Sequence, residues 1–143
     1  MKRKASAVWT GGLKDGKGVI STDSGVLANT QYSFSTRFEN GTGTNPEELI
    51  AAAHAGCFSM ALSAQLGGAN LKPESIRTTA TLTMENLPAP AGWTITEVHL
   101  DVVAKIPGAT PAAFETAANN AKAGCPVSRV LNARITMQAR LEA

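Results

Sequence analysis

The sequence predicts an α+β fold in which antiparallel sheets pack around a long, apolar central helix. Three observations predict this class. Segments with alternating apolar and polar residues follow one another across short turns, as in β-hairpins. One long run is apolar nearly all round and begins with helix-start residues. Two shorter helical segments stand together before the last strand. The predicted order, β-β-β-α-β-β-α-α-β, differs from the strand-helix alternation of a doubly wound parallel fold.

Three strands are predicted before the long helix. Residues 5–13 and 17–23 flank a turn that contains Asp-Gly, a strong hairpin signal. Residues 31–39 alternate in polarity, with Arg37 on the polar face. The residues of the other face are Tyr32, Phe34, Thr36 and Phe38. This pattern predicts a third strand and an exposed Arg37.

The long helix has clear start and stop signals. Asn45 is placed as the N-cap, Pro46 suits the first helical position, and Glu48 stands where a capping box needs it. Two glycines follow Leu66 and predict the end of the helix there. One sheet would leave part of so apolar a helix uncovered. We therefore expect it to be sandwiched within the domain or, more economically, by a second copy of the chain.

Two longer strands are predicted after the helix, at residues 75–85 and 93–105. A turn at 88–92 separates them. The apolar phase of the second slips between Ile95 and Val98, which predicts a β-bulge or a change of face there. The inward residues of the first are Ile76, Thr78, Ala80, Leu82 and Met84.

The C-terminal part of the chain predicts two helices and a closing strand. Thr110 is the expected N-cap of a helix that runs to about residue 123. A short helix follows from Cys125 and Pro126 to Leu131, and the strand covers residues 135–141.

Length and charge narrow the functional classes. The chain of 143 residues fits a single domain, 1–143, with no composition shift that would indicate a linker. Thirteen basic and eleven acidic residues give a net charge of +2, too mild to indicate a nucleic acid or an anionic membrane as partner. The N-terminus lacks the apolar stretch of a signal peptide. We therefore expect a cytoplasmic protein, in which disulfides are more often transient and catalytic than structural.

The chain has only two cysteines, Cys57 within the long helix and Cys125 at a helix boundary. Inert buried thiols and a structural bridge are the plain alternatives to thiol chemistry. Cys125, just before Pro126, occupies an N-cap position where free N–H groups stabilise a thiolate. His54 shares a helix face with Cys57, which suits either an ion pair or a buried, hydrogen-bonded histidine. His99 is expected to be exposed. The cysteines and histidines lack the close spacings of a zinc site, so no metal or cofactor is expected.

Two motifs carry a family resemblance. Residues 44–60 (TNPEELIAAAHAGCFSM) and 121–128 (AKAGCPVS) closely resemble the OsmC/Ohr family of thiol-dependent peroxidases. Residues 17–27 (KGVISTDSGVL) and 36–39 (TRFE) are similar to its osmotically inducible protein C branch. The resemblance covers essentially the whole chain and implies an OsmC-like fold in an intertwined homodimer.

The resemblance also implies catalytic roles. Cys57 matches the peroxidatic cysteine and Cys125 the resolving one; Arg37 matches the arginine that activates the thiolate, and Glu47 the glutamate that orients this arginine. The implied activity is reduction of organic hydroperoxides, with a dithiol of the dihydrolipoyl type as the reductant that the resemblance suggests. A permanent guanidinium charge fits the need to lower the pKa of a buried thiol.

Helix geometry adds an expectation about assembly. Ten residues of straight helix separate Glu47 from Cys57 by about 15 Å along the axis. If Glu47 acts on the chemistry of Cys57, we expect it to act on the Cys57 of a neighbouring subunit, across two antiparallel central helices.

Rival hypotheses remain open at this point. A redox sensor or binding protein of the same fold would use the same thiols without turnover, and Cys125 could attack in place of Cys57. The substrate is hardly readable from the sequence. Candidates to line an apolar pocket, each more simply a core residue, are Phe58, Met60, Leu62, Met84 and Met137.

Overall fold

The computed structural model describes residues 1–143 and has two compact units, Met1–Leu49 and Ile50–Ala143. The α+β class is confirmed, with two three-stranded sheets. The expectation of a single domain stays a prediction. The elements are β1 (Ala5–Thr10), β2 (Lys17–Thr22), β3 (Thr30–Tyr32), α1 (Phe34–Phe38), α2 (Pro46–Gly68), β4 (Ser75–Leu87), β5 (Gly92–Lys105), α3 (Pro111–Gly124), α4 (Pro126–Val130) and β6 (Arg134–Glu142).

The first unit is built on an antiparallel sheet in the order β1-β2-β3. Trp9 and Tyr32 lie on either side of Gly18 in the strand register, and their ring centroids are 5.6 Å apart. A Cβ at Gly18 would come within 2.3 Å of the Tyr32 ring. Glycine at this position therefore lets two aromatic rings pack over the middle strand.

The predicted strand at 31–39 is wrong beyond Tyr32. Ser33 caps α1: its hydroxyl accepts from the Thr36 N–H at 3.2 Å, and Thr36 Oγ1 accepts from the Ser33 N–H at 2.8 Å. Phe34 and Phe38 then pack at a centroid distance of 4.9 Å. Aromatic residues four apart fit one face of a helix as well as one face of a strand, and the reciprocal cap selects the helix. Arg37 consequently lies on α1.

The predicted start of the long helix is confirmed at its N-cap. Asn45 Oδ1 accepts a hydrogen bond from the Glu48 N–H at 2.8 Å, and the helix runs two residues beyond Leu66. The Glu48 carboxylate does not complete the expected capping box; it accepts from Thr44 Oγ1 at 2.9 Å. The Thr44 hydroxyl is thus the donor to the Glu48 carboxylate, in place of the backbone N–H of Asn45.

The second sheet has the order β4-β5-β6. β4 and β5 are antiparallel, and the register skips Thr96 between the pairs Thr83–Glu97 and Met84–Ile95, which confirms the bulge. β6, however, pairs with β5 in parallel, so the prediction of purely antiparallel sheets is wrong for this strand. α3 and α4 lie between these two strands, and parallel neighbours need a crossover of such length.

The core of the second unit lies where α2 and α3 cover this sheet. The fully buried residues of α2 are spaced four apart and form one stripe: His54, Phe58, Leu62 and Leu66. Val98, Leu100, Val102 and Ala104 of β5 are also fully buried. α2 is long and apolar enough to cross a membrane, but core helices of soluble proteins often have the same length and composition.

His54 ties α2 to α4 inside this core. Its Nε2 lies 2.7 Å from Ser128 Oγ, while its Nδ1 is buried with no partner. Of the two expectations for His54, the buried and hydrogen-bonded histidine is confirmed. Burial lowers the pKa of His54 below its ordinary value of 6.5, because the interior disfavours the charged imidazolium.

The buried histidine predicts an acid-dependent loss of stability. Below pH 6.5 the unfolded chain protonates His54 while the folded chain still resists it, so the unfolded state binds more protons. The free energy of unfolding should therefore decrease as the pH falls from above 6.5 through the lowered pKa. Denaturant unfolding across this range should show a shallower pH dependence for His54→Gln than for the wild type.

His99→Gln is the control for this measurement. His99 is half-buried on β5 and its Nδ1 lies 2.6 Å from Thr136 Oγ1, which corrects the expectation of an exposed side chain. This variant should keep the wild-type contribution of His54. An unchanged pH dependence in His54→Gln would contradict the assignment.

Candidate active site

The two cysteines lie in contact although 68 residues separate them. Cys57 stands on α2, one residue before the buried Phe58, and Cys125 stands between α3 and α4. Both thiols are free, and their Sγ atoms are 2.9 Å apart. A disulfide requires its sulfurs to approach to about 2.05 Å, so this pair is in its reduced form and needs only a small displacement to be oxidised.

The two thiols differ in accessibility. Cys125 has no exposed surface, whereas Cys57 is half-buried at the margin of the core. Part of the Cys57 residue is therefore open to solvent, whereas no part of Cys125 is.

The immediate surroundings disfavour a thiolate on Cys57. Burial raises the pKa of its thiol, and the hydrogen bond and charge of Cys125 raise it further. The backbone N–H of Val127 acts in the opposite direction but does not outweigh them. A nucleophilic thiolate at this position consequently requires a positive charge from elsewhere.

The surroundings of Cys125 favour its thiolate. Burial alone would raise the pKa of this thiol, but hydrogen bonds from Cys57, from the backbone N–H groups of Ser128 and Val127, and from the Ser128 hydroxyl lower it overall. Cys125 is the N-cap of α4 and its thiol makes no capping hydrogen bond of ordinary geometry. The nearby donors therefore matter mainly when the sulfur is charged.

Arg37 and Glu47 form a close ion pair within the first unit. Arg37 Nε and Nη2 both donate to Glu47 Oε1, at 2.9 and 2.7 Å. The Glu47 side chain is 13% exposed and its Oε2 is buried with no partner, while the Arg37 side chain is 40% exposed. Arg37 is exposed, as predicted, and its guanidinium is held in place by the Glu47 carboxylate.

The structure brings the predicted site residues together as two pairs, Arg37 with Glu47 and Cys57 with Cys125, one in each compact unit. Sequence reasoning did not identify Ser128, whose Oγ lies 2.7 Å from His54 Nε2 and whose hydroxyl helps to lower the pKa of Cys125. A signal was available, because Ser128 is the third helical residue after the Cys125 cap. Side chains at that position are the ones that reach back to an N-cap.

The candidates for an apolar pocket divide into two groups. Phe58 and Leu62 are fully buried in the core, and Met84 and Met137 are half-buried. Met60 is 77% exposed. These positions do not define one lining, and the simpler assignment to the core holds for Phe58 and Leu62.

Comparisons with known proteins identify relatives of the whole chain. A sequence model described as OsmC-like protein matches residues 39–140. Peroxiredoxin OsmC of Escherichia coli (strain K12) is 50% identical over 140 residues, which cover 98% of this chain and 96% of that protein. An organic hydroperoxide resistance protein of Xanthomonas axonopodis pv. citri (strain 306) is 28% identical over 132 residues, 92% of this chain and 88% of that protein.

Solved structures show the same fold. The organic hydroperoxide resistance protein OhrB of Bacillus subtilis superposes with a TM-score of 0.71 at 22% identity, covering 96% of this chain and 98% of that one. An OsmC-like protein from Mycoplasma pneumoniae gives a TM-score of 0.77 at 13% identity, covering 100% and 99%. The family match over most of the chain and the half-identical relative lead to one conclusion: this chain belongs to the OsmC family.

Proposed function

We propose that this protein is a thiol-dependent peroxidase that reduces organic hydroperoxides to alcohols. Its relatives are named as a peroxiredoxin and as organic hydroperoxide resistance proteins. The observation that carries the proposal is the contact of two reduced thiols at 2.9 Å, one accessible and one buried. Such a pair can be oxidised to a disulfide and reset by thiol exchange.

The chemistry proceeds in three balanced steps. The Cys57 thiolate attacks one oxygen of the hydroperoxide, the O–O bond breaks, and the alkoxide leaves with a proton as an alcohol while Cys57 becomes a sulfenic acid. Cys125 then attacks the sulfenic sulfur, forming the disulfide and releasing water. A dithiol finally reduces the disulfide and is itself oxidised to a cyclic or linear disulfide.

Accessibility supports Cys57 as the attacking residue. The peroxide must reach the sulfur, and Cys125 is completely buried. Within its own surroundings the pKa of Cys57 is raised, chiefly by burial, so the guanidinium of Arg37 fits the role of activator and Glu47 that of its orienting partner. The opposite order, with Cys125 attacking, is the second candidate, because its own surroundings lower its pKa.

Serine substitutions should separate the two thiols. Cys57→Ser should remove peroxide turnover, because no accessible thiolate remains. Cys125→Ser should keep one rapid reaction per chain that stops at the sulfenic acid. The measurement combines stopped-flow mixing with an alkyl hydroperoxide, a sulfenic acid trap, and steady-state turnover with a dithiol.

Three outcomes would count against parts of this scheme. A single reaction without turnover in the wild type would identify a redox sensor instead of a peroxidase. Rapid single reaction in Cys57→Ser, but not in Cys125→Ser, would exchange the roles. Unchanged free thiol after stoichiometric peroxide would leave two inert cysteines.

The active unit is proposed to be a homodimer formed through α2. Outside its buried stripe, this helix exposes a further face of small and apolar residues. That face consists of Ala53, Gly56, Met60 and Ala64. An exposed apolar face on a helix is typical of a protein interface, and the matching α2 of a second copy is the occupant we propose.

In this dimer, Arg37 and Glu47 of one subunit serve Cys57 of the other. α2 is an unbroken helix between Glu47 and Cys57, which separates them by about 15 Å along the axis. Because Arg37 forms an ion pair with Glu47 of its own chain, both residues would contribute to the same active site. The proposed action on the Cys57 of the other subunit therefore applies to Arg37 as well as to Glu47.

Mixed dimers test this arrangement. A Cys57→Ser chain and an Arg37→Ala chain should each be nearly inactive alone. After unfolding and joint refolding in equal amounts, about half of the dimers are mixed and each has one intact site, so activity should return to roughly a quarter of wild type. Steady-state turnover at a fixed total chain concentration measures this recovery.

Wild-type chains taken through the same unfolding and refolding are the control for refolding, and each variant refolded alone gives the background activity. No recovery in the joint sample would show that Arg37 acts on the cysteine of its own chain. A fully active monomer, established by sedimentation at the assay concentration, would also contradict the proposal.

The finer assignments follow from the family and remain proposals. Organic hydroperoxides are the proposed substrate class, a dihydrolipoyl-type dithiol the reductant, and the cytoplasm the location. Comparison of an alkyl hydroperoxide with hydrogen peroxide, and of a dithiol with a monothiol, in steady-state kinetics tests the first two.

A further inference from the structure

A chain of polar groups leads from the core to the buried thiol. His54 Nε2 lies 2.7 Å from Ser128 Oγ, across the contact between α2 and α4. Ser128 is the third helical residue after Cys125, the N-cap of α4, and its hydroxyl is one of the groups that lower the pKa of Cys125. Cys125 Sγ is 2.9 Å from Cys57 Sγ. His54 and Cys125 have no exposed surface and Ser128 is 9% exposed, so the chain is shielded from water.

The unpartnered nitrogen of His54 fixes the direction of these hydrogen bonds. Nδ1 is buried without a partner, and a buried N–H donor without an acceptor is costly. The neutral ring therefore carries its proton on Nε2, which donates to Ser128 Oγ. Because the hydroxyl oxygen accepts from Nε2 in this arrangement, its own proton remains available for a hydrogen bond to Cys125 Sγ.

We propose that His54 and Ser128 form a donor chain that holds Cys125 as the thiolate which attacks the oxidised Cys57. Ser128 contacts the reacting sulfur, and His54 is a positioning residue that acts through Ser128. This assignment rests on the proposed peroxidase function and concerns its second step only.

The step it serves is balanced. The Cys125 thiolate attacks the sulfur of the Cys57 sulfenic acid, the S–S bond forms, and the S–O bond breaks. The leaving hydroxide takes up one proton and departs as water. This proton balances the one that Cys125 released when it ionised. Cys125 is oxidised from thiol to disulfide, and the sulfenic acid of Cys57 is reduced to the same level.

Removal of the Ser128 hydroxyl should slow the formation of the Cys57–Cys125 disulfide without slowing the reaction of Cys57 with the hydroperoxide. A hydrogen bond to a charged group is among the stronger ones, so Ser128→Ala decreases the thiolate fraction of Cys125. The remaining thiolate is more nucleophilic, which offsets part of the loss. We expect sulfenic acid formation at the wild-type rate, and its conversion to disulfide slowed about three- to tenfold.

Two further variants separate the donor chain from packing. Ser128→Thr retains the hydroxyl and should restore the rate of the second step. Thr136→Val is the matched control, since it removes a second hydroxyl–histidine pair, the 2.6 Å contact between Thr136 on β6 and His99 on β5. It should change neither step. His54→Gln, which keeps a donor, should be faster in the second step than His54→Leu.

Single-turnover kinetics in one stopped-flow experiment follow both steps, with a sulfenic acid trap for the first and loss of trappable species for the second. Equal second-step rates in Ser128→Ala and wild type would overturn the proposal, as would a defect that Ser128→Thr does not restore. A slowed first step in Ser128→Ala would assign the chain to the attacking thiol instead. Absence of any sulfenic acid in the wild type would refute the peroxidase function itself, independently of Ser128.

Discussion

The rotation of α2 about its axis decides which of its side chains are buried and which face solvent. A stripe at fourfold spacing, with Phe58 and Leu62 at its centre, is completely buried against the sheet. Because successive residues on a helix are about 100° apart, burial of Phe58 leaves the preceding Cys57 at the edge of the core. The same rotation turns His54 inward and leaves Met60 in solvent. The orientation of α2 therefore sets three features together. These are the partial exposure of Cys57, the buried contact of His54 and the exposed apolar face that includes Met60.

Accessibility and ionisation are divided between the two sulfurs. The sulfur that solvent reaches has its pKa raised by burial, and the sulfur with its pKa lowered by donors has no exposed surface. Neither thiol alone is suited to the whole reaction. In the proposed reaction, the accessible first nucleophile would need a cation from elsewhere, whereas neighbouring donors already lower the pKa of the second thiol. A guanidinium held by a carboxylate, as in Arg37 with Glu47, is a cation of fixed orientation suited to that task.

The sequence predicted those parts of the fold that local patterns decide. The alternation over 75–85 has one physical interpretation, a strand, whereas the phase slip after Ile95 has two, a bulge or a change of face; the structure contains the strand and the bulge. The segment after Tyr32 had two, because Phe34 and Phe38 share a face in a strand and in a helix, and a cap made by Ser33 decided between them. The parallel pairing of β6 depends on where a long crossover returns, which no local pattern contains.

The site was predictable only in part for the same reason. The residue types and the capping position of Cys125 indicated thiol chemistry, and the family motifs supplied the roles. The contact between His54 and Ser128 joins residues 74 positions apart, so only the packing of α4 on α2 reveals it. The pairing of Arg37 with Glu47 likewise depends on α1, an element that polarity alternation concealed.

The long interval between the two cysteines has a consequence for the energetics of a working cycle. A bond between Cys57 and Cys125 closes a loop that contains α3, the whole of β4 and β5, and most of the core. By loop-closure entropy, such a link restricts the unfolded chain enough to add about 4 kcal/mol of stability. Oxidation would thus close the covalent loop between Cys57 and Cys125, and reduction would open it. The resistance of the protein to unfolding and proteolysis would rise and fall with the redox state of its own active site.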